Sequence, residues 1–290
     1  MEVKEINMWD KLLTCYPNAL HFKNDFFIFD INAVPFIPCF PFKINSYGFC
    51  LCLQGTMHSS IDLMPIELNE GKIVVNVPGQ IISHRQASDD FKGTCVFMTK
   101  HFVDGLGLPY NFDVDRKVRE NPVLDMKPGE YQAILTYCAM VKGLLEKERL
   151  YQAETLKHLT SAYTYGLGSY LYQIDTTRNL TNDELLLKRF FAELRTHYKT
   201  ERKVQFYATR LNITASYLSH VVKKICGTAA SDWIDRFVLL EAKALLKSSN
   251  MTIQQISYEL NFPSQSFFGK YFKRVTGYSP KEYRDSSLVE

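Results

Sequence analysis

The last third of this 290-residue chain contains one pattern twice, and this duplication restricts the fold more than any other feature. The first copy covers 207–227 and the second covers 256–277. The closing glycines, Gly227 and Gly277, match at an offset of 50 residues. Each copy predicts a short helix, a tight turn and a second helix that ends in two basic residues and a glycine. This is the layout of a helix-turn-helix.

The second helix of each copy combines an apolar face with a short polar face. Leu218 and Val222 in the first copy, with Phe268 and Phe272 in the second, are spaced for burial. The opposite faces carry Ser216, Ser219, His220, Gln265, Ser266, Gly269 and Lys270. Such a face can enter a major groove, where Gln, His and Lys reach base edges. Four basic residues near the helix ends suit phosphate contacts, with plain solvation as the alternative: Lys223, Lys224, Lys273 and Arg274.

A helix predicted over 229–247 separates the two copies and could fix their spacing. Its length is about 28 Å at about 1.5 Å per residue, against about 34 Å between successive major-groove entries. The charge distribution agrees with a nucleic-acid partner. From Thr181 onward the chain has 17 basic and 11 acidic residues, whereas the first 180 residues have 17 and 20. A basic C-terminal part therefore follows a slightly acidic N-terminal part.

Capping boxes and apolar spacing predict an all-helical C-terminal domain over 182–290, after a linker at 176–181. Capping boxes begin at Thr181, Thr252 and Ser279. The predicted helices cover 182–198, 203–211, 215–225, 229–247, 252–261, 264–275 and 280–284.

These residues resemble the DNA-binding domain of the AraC/XylS family of bacterial transcription regulators. The resemblance covers about 190–285, and its most specific part is the closing block Phe267–Arg284. It implies base contacts by Ser216, Ser219, His220, Ser266, Gly269 and Lys270. The chain departs from the family pattern at Asn261, where glycine is usual, and at Val222, where an aromatic is usual. Arginine is frequent in the family at the positions of His220 and Lys270.

The first 125 or so residues are rich in β-strand signals. Strands are predicted at 26–29, 44–53, 61–68, 73–77, 81–84 and 94–98. Both faces of Tyr47–Leu53 and of Lys72–Val77 are largely apolar, which indicates a small barrel or sandwich that is buried on both sides. The absence of a βαβ rhythm argues against a Rossmann or TIM fold. The resemblance implies a cupin-like barrel over 1–127 that binds an effector.

Two amphipathic helices are predicted within 128–175, which we interpret as a dimerisation region. Apolar residues recur at helical spacing from Tyr131 to Leu145 and from Leu156 to Ile174. The two stripes could pack on the barrel, or pair with their copies in a homodimer, or do both.

A small-molecule pocket is a further expectation for the N-terminal part. Its candidate residues fall on or beside predicted strands: Tyr47, Phe49, Cys52, His84 and Arg85. Arg85 could anchor an anionic effector, and the alternative is an ordinary surface arginine.

Several other chemistries find no support in the sequence. No His-x-His pair, catalytic triad pattern or phosphate-binding glycine loop occurs, so we expect no enzyme, no cofactor and no metal. The seven cysteines are scattered without a C-x-x-C pair, which favours reduced, mostly buried thiols. The charged N-terminus and the lack of a long apolar run predict a cytoplasmic protein.

The sequence therefore predicts an α+β protein, with an N-terminal cupin-like β-barrel and dimerisation helices ahead of an all-α domain with two helix-turn-helix motifs. Its expected function is sequence-specific transcription regulation, with double-stranded DNA, a possible small-molecule effector, a second copy of the chain and, for an activator, RNA polymerase as partners. Two alternatives remain open: a metal-dependent barrel enzyme with an accessory helical domain, and a barrel that only dimerises.

Overall fold

The computed structural model describes residues 16–32, 41–108, 114–177 and 181–286. The chain divides into two compact units. The described residues of the N-terminal unit are 16–32, 44–108 and 114–177. Those of the C-terminal unit are 181–286 together with the short segment 41–43.

Antiparallel strands form the body of the N-terminal unit. The strands are β1 (Leu20–Phe22), β2 (Phe26–Asn32), β4 (Tyr47–Gln54), β5 (Thr56–Ile61), β6 (Met64–Asn69), β7 (Lys72–Asn76), β8 (Ile81–Ala87), β9 (Lys92–Met98) and β10 (Val123–Asp125), while β3 (Phe42–Lys43) is grouped with the C-terminal unit. One sheet has the order β1-β2-β9-β4-β7-β10, and a second sheet contains β8, β5 and β6 in that order. The expected N-terminal β domain is thereby confirmed.

Burial on both faces of the central strands is confirmed. In β4 the run from Gly48 to Cys52 is buried without interruption, and in β7 the run from Ile73 to Asn76 is buried as well. Neighbours pair on both sides of β4, with Phe49 opposite Val75 on β7 and opposite Val96 on β9. A strand that is covered on both faces needs apolar side chains at every position, which explains why alternation is absent here.

Most of the strand predicted at 61–68 is observed as β6, but its start was wrong, because a tight turn at Asp62-Leu63 separates β6 from β5. Asp62 and Leu63 have left-handed backbone torsions, with φ of 49° and 68°, and they join β5 to β6 as a two-residue hairpin turn. Turns with two positive φ angles favour Asn-Gly or Asp-Gly, so Asp-Leu gives little signal in a sequence. The Asp62 carboxylate accepts a hydrogen bond from the Ile81 amide at 2.9 Å, which supports the turn from β8.

Helices cover one face of the larger sheet. They are α1 (Lys100–Asp104), α2 (Val114–Glu120), α3 (Pro128–Leu145) and α4 (Gln152–Thr177). Their buried residues, including Ile134, Val141 and Leu156, join Phe49 and Val75 in one apolar cluster. Packing of the helices on the sheet is therefore confirmed. Helix α4 extends through Thr177, two residues into the predicted linker, and residues 178–180 lie outside the described ranges.

The C-terminal unit follows the predicted helices to within two residues at each end. Its helices are α5 (Asn182–His197), α6 (Val204–Arg210), α7 (Ala215–Cys226), α8 (Ala230–Ser248), α9 (Ile253–Glu259), α10 (Gln265–Thr276) and α11 (Pro280–Asp285). The three expected capping boxes, at Thr181, Thr252 and Ser279, are present. Small side chains, Ala208 on α6 and Ser257 on α9, are fully buried, which lets the first helix of each copy approach its second helix closely.

The cysteines that the structure describes are free thiols. Cys50, Cys52, Cys95 and Cys138 are buried and Cys226 is partly exposed, while Cys15 and Cys39 fall outside the described ranges. Within those ranges, no cluster of three or more His, Cys, Asp or Glu residues could hold a metal ion. No helix there has both the length and the apolar character that crossing a membrane requires.

The turn of each helix-turn-helix contains an asparagine in the left-handed region, with φ of 57° at Asn212 and 53° at Asn261. Asn tolerates this conformation better than other residues with a Cβ, which accounts for Asn261 at a position where the resembling family has glycine.

We expect Asn212→Gly to keep or slightly raise the free energy of unfolding, and Asn212→Ala to lower it by about 1 kcal/mol, because only glycine is free of strain there. Urea denaturation of both variants measures the difference. Equal stability of the two variants would contradict the assigned backbone conformation.

Candidate DNA-binding site

The two recognition-helix candidates, α7 and α10, begin and end in the same way. The Thr214 hydroxyl accepts a hydrogen bond from the Tyr217 amide at 3.2 Å, and the Ser264 hydroxyl accepts one from the Phe267 amide at 3.2 Å. Gly227 ends α7 and Gly277 ends α10, and both glycines have left-handed backbone conformations. These caps satisfy otherwise unpaired backbone groups and fix where each helix starts.

The structure places the predicted DNA-contacting residues on the accessible side of the two helices. Leu218 and Val222 of α7, and Phe268 and Phe272 of α10, are fully buried. Nine of the eleven predicted residues are exposed: Ser216, His220, Lys223, Lys224, Gln265, Ser266, Lys270, Lys273 and Arg274. Ser219 and Gly269 are half-buried, and a Cβ at Gly269 would meet nothing within 4 Å. Each helix therefore presents a polar surface of short side chains with open space beside it.

The basic residues at the helix ends differ in their surroundings. The Lys224 ammonium pairs with the Asp183 carboxylate at 2.8 Å, and the Tyr217 hydroxyl donates to the same carboxylate at 3.3 Å. The hydrogen bond from Lys224 is the main cause that lowers the pKa of Asp183. Lys223 and Lys270 have no ion-pair partner within the part of the chain that the structure describes. These two ammonium groups are thus more available to phosphates than that of Lys224.

Sequence reasoning missed two exposed aromatic residues. Tyr217 on α7 is 46% exposed and Phe267 on α10 is 62% exposed, and they occupy equivalent positions in the two copies. Each directly precedes a buried residue of its helix, so an apolar pattern alone could not separate it from the core. The correspondence between the copies was the available signal, because both copies place an aromatic in the first turn.

A loop between α5 and α6 joins the two helix-turn-helix copies. The Arg202 guanidinium donates to the Leu260 carbonyl and lies over the Phe262 ring, 4.8 Å from its centroid. The Asn261 amide donates to the Thr200 carbonyl at 3.2 Å. These contacts bring the segment before the first copy onto the turn of the second copy. They hold the two copies in a defined relation within this unit.

The buried carboxylate of Glu241 on α8 forms a second set of contacts between separate segments of the C-terminal unit. It is inaccessible to solvent, pairs with Lys43 at 2.7 Å and with Lys199 at 3.3 Å, and accepts from the Tyr198 hydroxyl at 2.8 Å. Lys199 also pairs with Glu259 at 2.5 Å. Burial alone would raise the pKa of Glu241, but the two ammonium groups and the hydroxyl outweigh it, and the pKa is lowered.

The structure brings together only part of the predicted ligand site in the N-terminal unit. Tyr47 and Phe49 lie on the face of β4 that packs against helices, and the Tyr47 hydroxyl donates to Asp115 at 3.2 Å. Burial, then Asp115, raises the pKa of Tyr47 to about 12. Cys52 is fully buried, and strand alternation puts it on the other face of β4. The side chains of His84 and Arg85 lie outside the described residues.

Comparisons with known proteins agree with the geometry of the C-terminal unit. Residues 207–286 match the family model described as "Helix-turn-helix domain". The chain is 30% identical over 180 residues to the uncharacterized HTH-type transcriptional regulator YisR of Bacillus subtilis, covering 62% of this chain and 56% of YisR. It is 31% identical over 77 residues to the arabinose operon regulatory protein of Escherichia coli, covering 27% of this chain and 26% of that protein.

Among solved structures, the fatty acid-bound form of ToxT from Vibrio cholerae aligns with 93% of this chain and 99% of its own, at 15% identity and a TM-score of 0.44. The chain spans about half or less of the length of the two relatives named above.

The C-terminal unit is a DNA-binding domain with two helix-turn-helix motifs. This domain is similar to the helix-turn-helix domains of the transcription regulators named above, in agreement with the resemblance to the AraC/XylS family seen in the sequence. The relatives that share it are named as regulators, and the alternative of a barrel enzyme finds no support among them.

We expect Glu241→Gln to lower the free energy of unfolding at pH 7 by about 3 kcal/mol, because it removes the buried carboxylate that pairs with Lys43 and Lys199 and leaves Lys43 without its counter-charge. Since the folded pKa lies below the ordinary value of 4.5, the stabilisation by this carboxylate is complete above pH 4.5 and is lost as the pH falls below it. Denaturation at several pH values measures both effects, and the variant should show a shallower loss of stability in acid.

The matched control is Glu259→Gln, which removes a partly exposed partner of the same Lys199. Such a surface pair contributes less than about 1 kcal/mol at pH 7. Equal effects of the two variants at neutral pH would contradict a special role for the buried carboxylate.

Proposed function

We propose that this protein is a cytoplasmic, sequence-specific transcription regulator whose helices α7 and α10 enter consecutive major grooves of double-stranded DNA. The observation that carries the proposal is the pair of equally capped helices, each with a buried apolar face and an exposed polar face. Ser216, Ser219 and His220 would read one groove, and Gln265, Ser266, Gly269 and Lys270 would read the next.

The basic helix ends and the exposed aromatics complete the proposed interface. Lys223, Lys273 and Arg274 would contact phosphates, and Lys224 would do so after release from Asp183. Phe267 and Tyr217 would contact sugars or thymine methyl groups, a contact that suits an exposed apolar ring at the start of a recognition helix.

The N-terminal unit would sense a small molecule, mediate homodimerisation, or do both, as a domain over 1–127 with dimerisation helices over 128–175. On α3 the Met140 side chain is 51% exposed, and a contact between two copies would cover it. An effector would act by favouring one arrangement of the two domains, linked through 176–181, over another. RNA polymerase would be a further partner if the protein is an activator.

The base-reading role is tested by a matched pair on α10, Lys270→Ala and Lys273→Ala. DNA selected from a random library by the purified chain supplies the target. We expect Lys270→Ala to lose affinity selectively, by about 5- to 100-fold on that target, and to relax the preference at one or two positions, since a base contact contributes about 1–3 kcal/mol. Lys273→Ala should weaken binding to all sequences alike and reduce the salt dependence by about one counterion.

Gel shifts at several salt concentrations measure these effects. If Lys270→Ala binds all sequences equally less well, α10 would contact phosphates rather than bases. If the wild-type chain selects no sequence at all, the proposed function is wrong.

Arg202 provides a test of the fixed relation between the two copies. DNA with one extra base pair between the two half-sites should bind the wild-type chain poorly, because the recognition helices cannot follow the change in spacing. We expect Arg202→Ala to reduce this discrimination, since it removes the contacts with Leu260 and Phe262. Fluorescence anisotropy on both DNAs gives the ratio of dissociation constants. Arg210→Ala, which removes an exposed pair with Glu193, is the control, and an unchanged ratio in Arg202→Ala would contradict the assigned role.

A further inference from the structure

A cavity of about 50 Å³ lies within the N-terminal unit, between the larger sheet and the helices that cover it. Strands β4, β7 and β9 form one wall, Val103 of α1 and Leu106 just after that helix form another part, and α4 contributes Tyr163, Thr164 and Leu167. Phe49 and Tyr47 line it from the sheet. The cavity is therefore on the helical side of β4, where two of the five predicted ligand residues lie.

Two polar groups that line this cavity lack a hydrogen-bond partner among the described residues, the Tyr163 hydroxyl and the side-chain amide nitrogen of Asn76. The hydroxyl oxygen of Tyr163 is buried, and none of the residues described by the structure bonds to it. The Tyr163 ring is held by stacking on Tyr137, at a centroid distance of 4.6 Å, and by Phe49 at 5.1 Å. A buried hydroxyl without a partner is costly, by about 1–3 kcal/mol, and a ligand oxygen would satisfy it.

The size and the walls of the cavity define the chemistry of a ligand. A site for one water needs about 10–15 Å³ on the same measure, so 50 Å³ holds about three to five non-hydrogen atoms. Among the residues that the structure describes, none of the side chains lining the cavity carries a charge. A carboxylate or an amine would be buried there without a counter-charge, which is strongly unfavourable.

We propose that this cavity is an effector site for a short-chain, uncharged hydrocarbon derivative with a single oxygen, such as a small ketone or alcohol, held by the Tyr163 hydroxyl. The inference rests on the proposed function for its biological meaning, since it names the effector class and the location of its site. It differs from the sequence-based expectation, which included Arg85 as an anchor for an anion.

Helix α4 would carry the effect of the ligand along the chain. Tyr163, Thr164 and Leu167 lie near the middle of this helix, which continues to Thr177 and leads into the segment that connects to the DNA-binding domain. A ligand that binds one position of α4 better than another shifts the population between those positions. The ligand thus acts on the same helix that ends at the linker.

The test uses the full chain with labelled Leu, Val and Thr methyl groups and follows NMR shifts during titration with butan-2-one. We expect saturable shifts at Leu106, Val75, Thr164 and Leu167, with a dissociation constant in the micromolar to millimolar range for a ligand this small. Propionate, of similar size but charged, should cause none. Shifts with both compounds, or with neither, would overturn the proposal.

Tyr163→Phe separates ligand binding from folding. Because the hydroxyl has no partner among the described residues, its removal should leave the melting temperature unchanged or raise it, while the affinity for butan-2-one falls about 3- to 10-fold. Xenon, which has no oxygen, should bind the variant and the wild type alike. An unchanged affinity for butan-2-one would show that Tyr163 does not hold the ligand oxygen.

A second variant, Val103→Leu, adds bulk to the wall from the short helix α1 and should weaken binding of both butan-2-one and xenon. Unchanged binding of the two compounds would place the ligand elsewhere and overturn the assigned site. Gel shifts on the selected DNA are measured separately with each variant. Loss of butan-2-one binding with intact DNA binding would refute only the effector site, whereas a wild-type chain that binds butan-2-one but no DNA would refute only the proposed function.

Discussion

The contact between Arg202 and the turn of the second helix-turn-helix is the constraint on which the DNA-binding arrangement depends. One guanidinium both satisfies the Leu260 carbonyl and covers the Phe262 ring. The contact fixes how the second copy sits against the segment that precedes the first. Two recognition helices can read two grooves at once only if their relation is set before DNA arrives, because ordering them on binding would cost affinity.

The buried carboxylate of Glu241 also links separate segments of the C-terminal unit. Lys199 bridges Glu241 on the central helix and Glu259 on the first helix of the second copy. Polar groups inside a small helical domain are expensive unless they are fully paired, and here the pairing connects three segments that apolar packing alone would leave free to slide. Apolar packing stabilises the domain, and these ion pairs favour one arrangement of its helices.

The N-terminal unit contains a cavity between its larger sheet and the helices that cover one face of that sheet. Phe49, Val75 and Met98 point from the sheet toward the helices, and Tyr163 and Leu167 of α4 line the cavity from the opposite side. Helix α4, which lines this cavity, continues to Thr177, where the described range ends. Successive side chains of β4 point to opposite faces of the sheet. Tyr47 and Phe49 therefore line the cavity, whereas Cys52 lies on the other face.

The sequence alone determined the C-terminal helices and the double helix-turn-helix, because capping residues such as Ser264, closing glycines such as Gly277 and the 50-residue offset are local signals that survive without a structure. It did not reveal the Asp62-Leu63 turn, whose torsions are supported by a hydrogen bond from Ile81 across the sheet, nor the exposure of Phe267. Only the tertiary structure decided those features, together with the contacts of Arg202 and the cavity beside Tyr163. Each of them depends on which distant residues meet, and periodicity along one chain carries no such information.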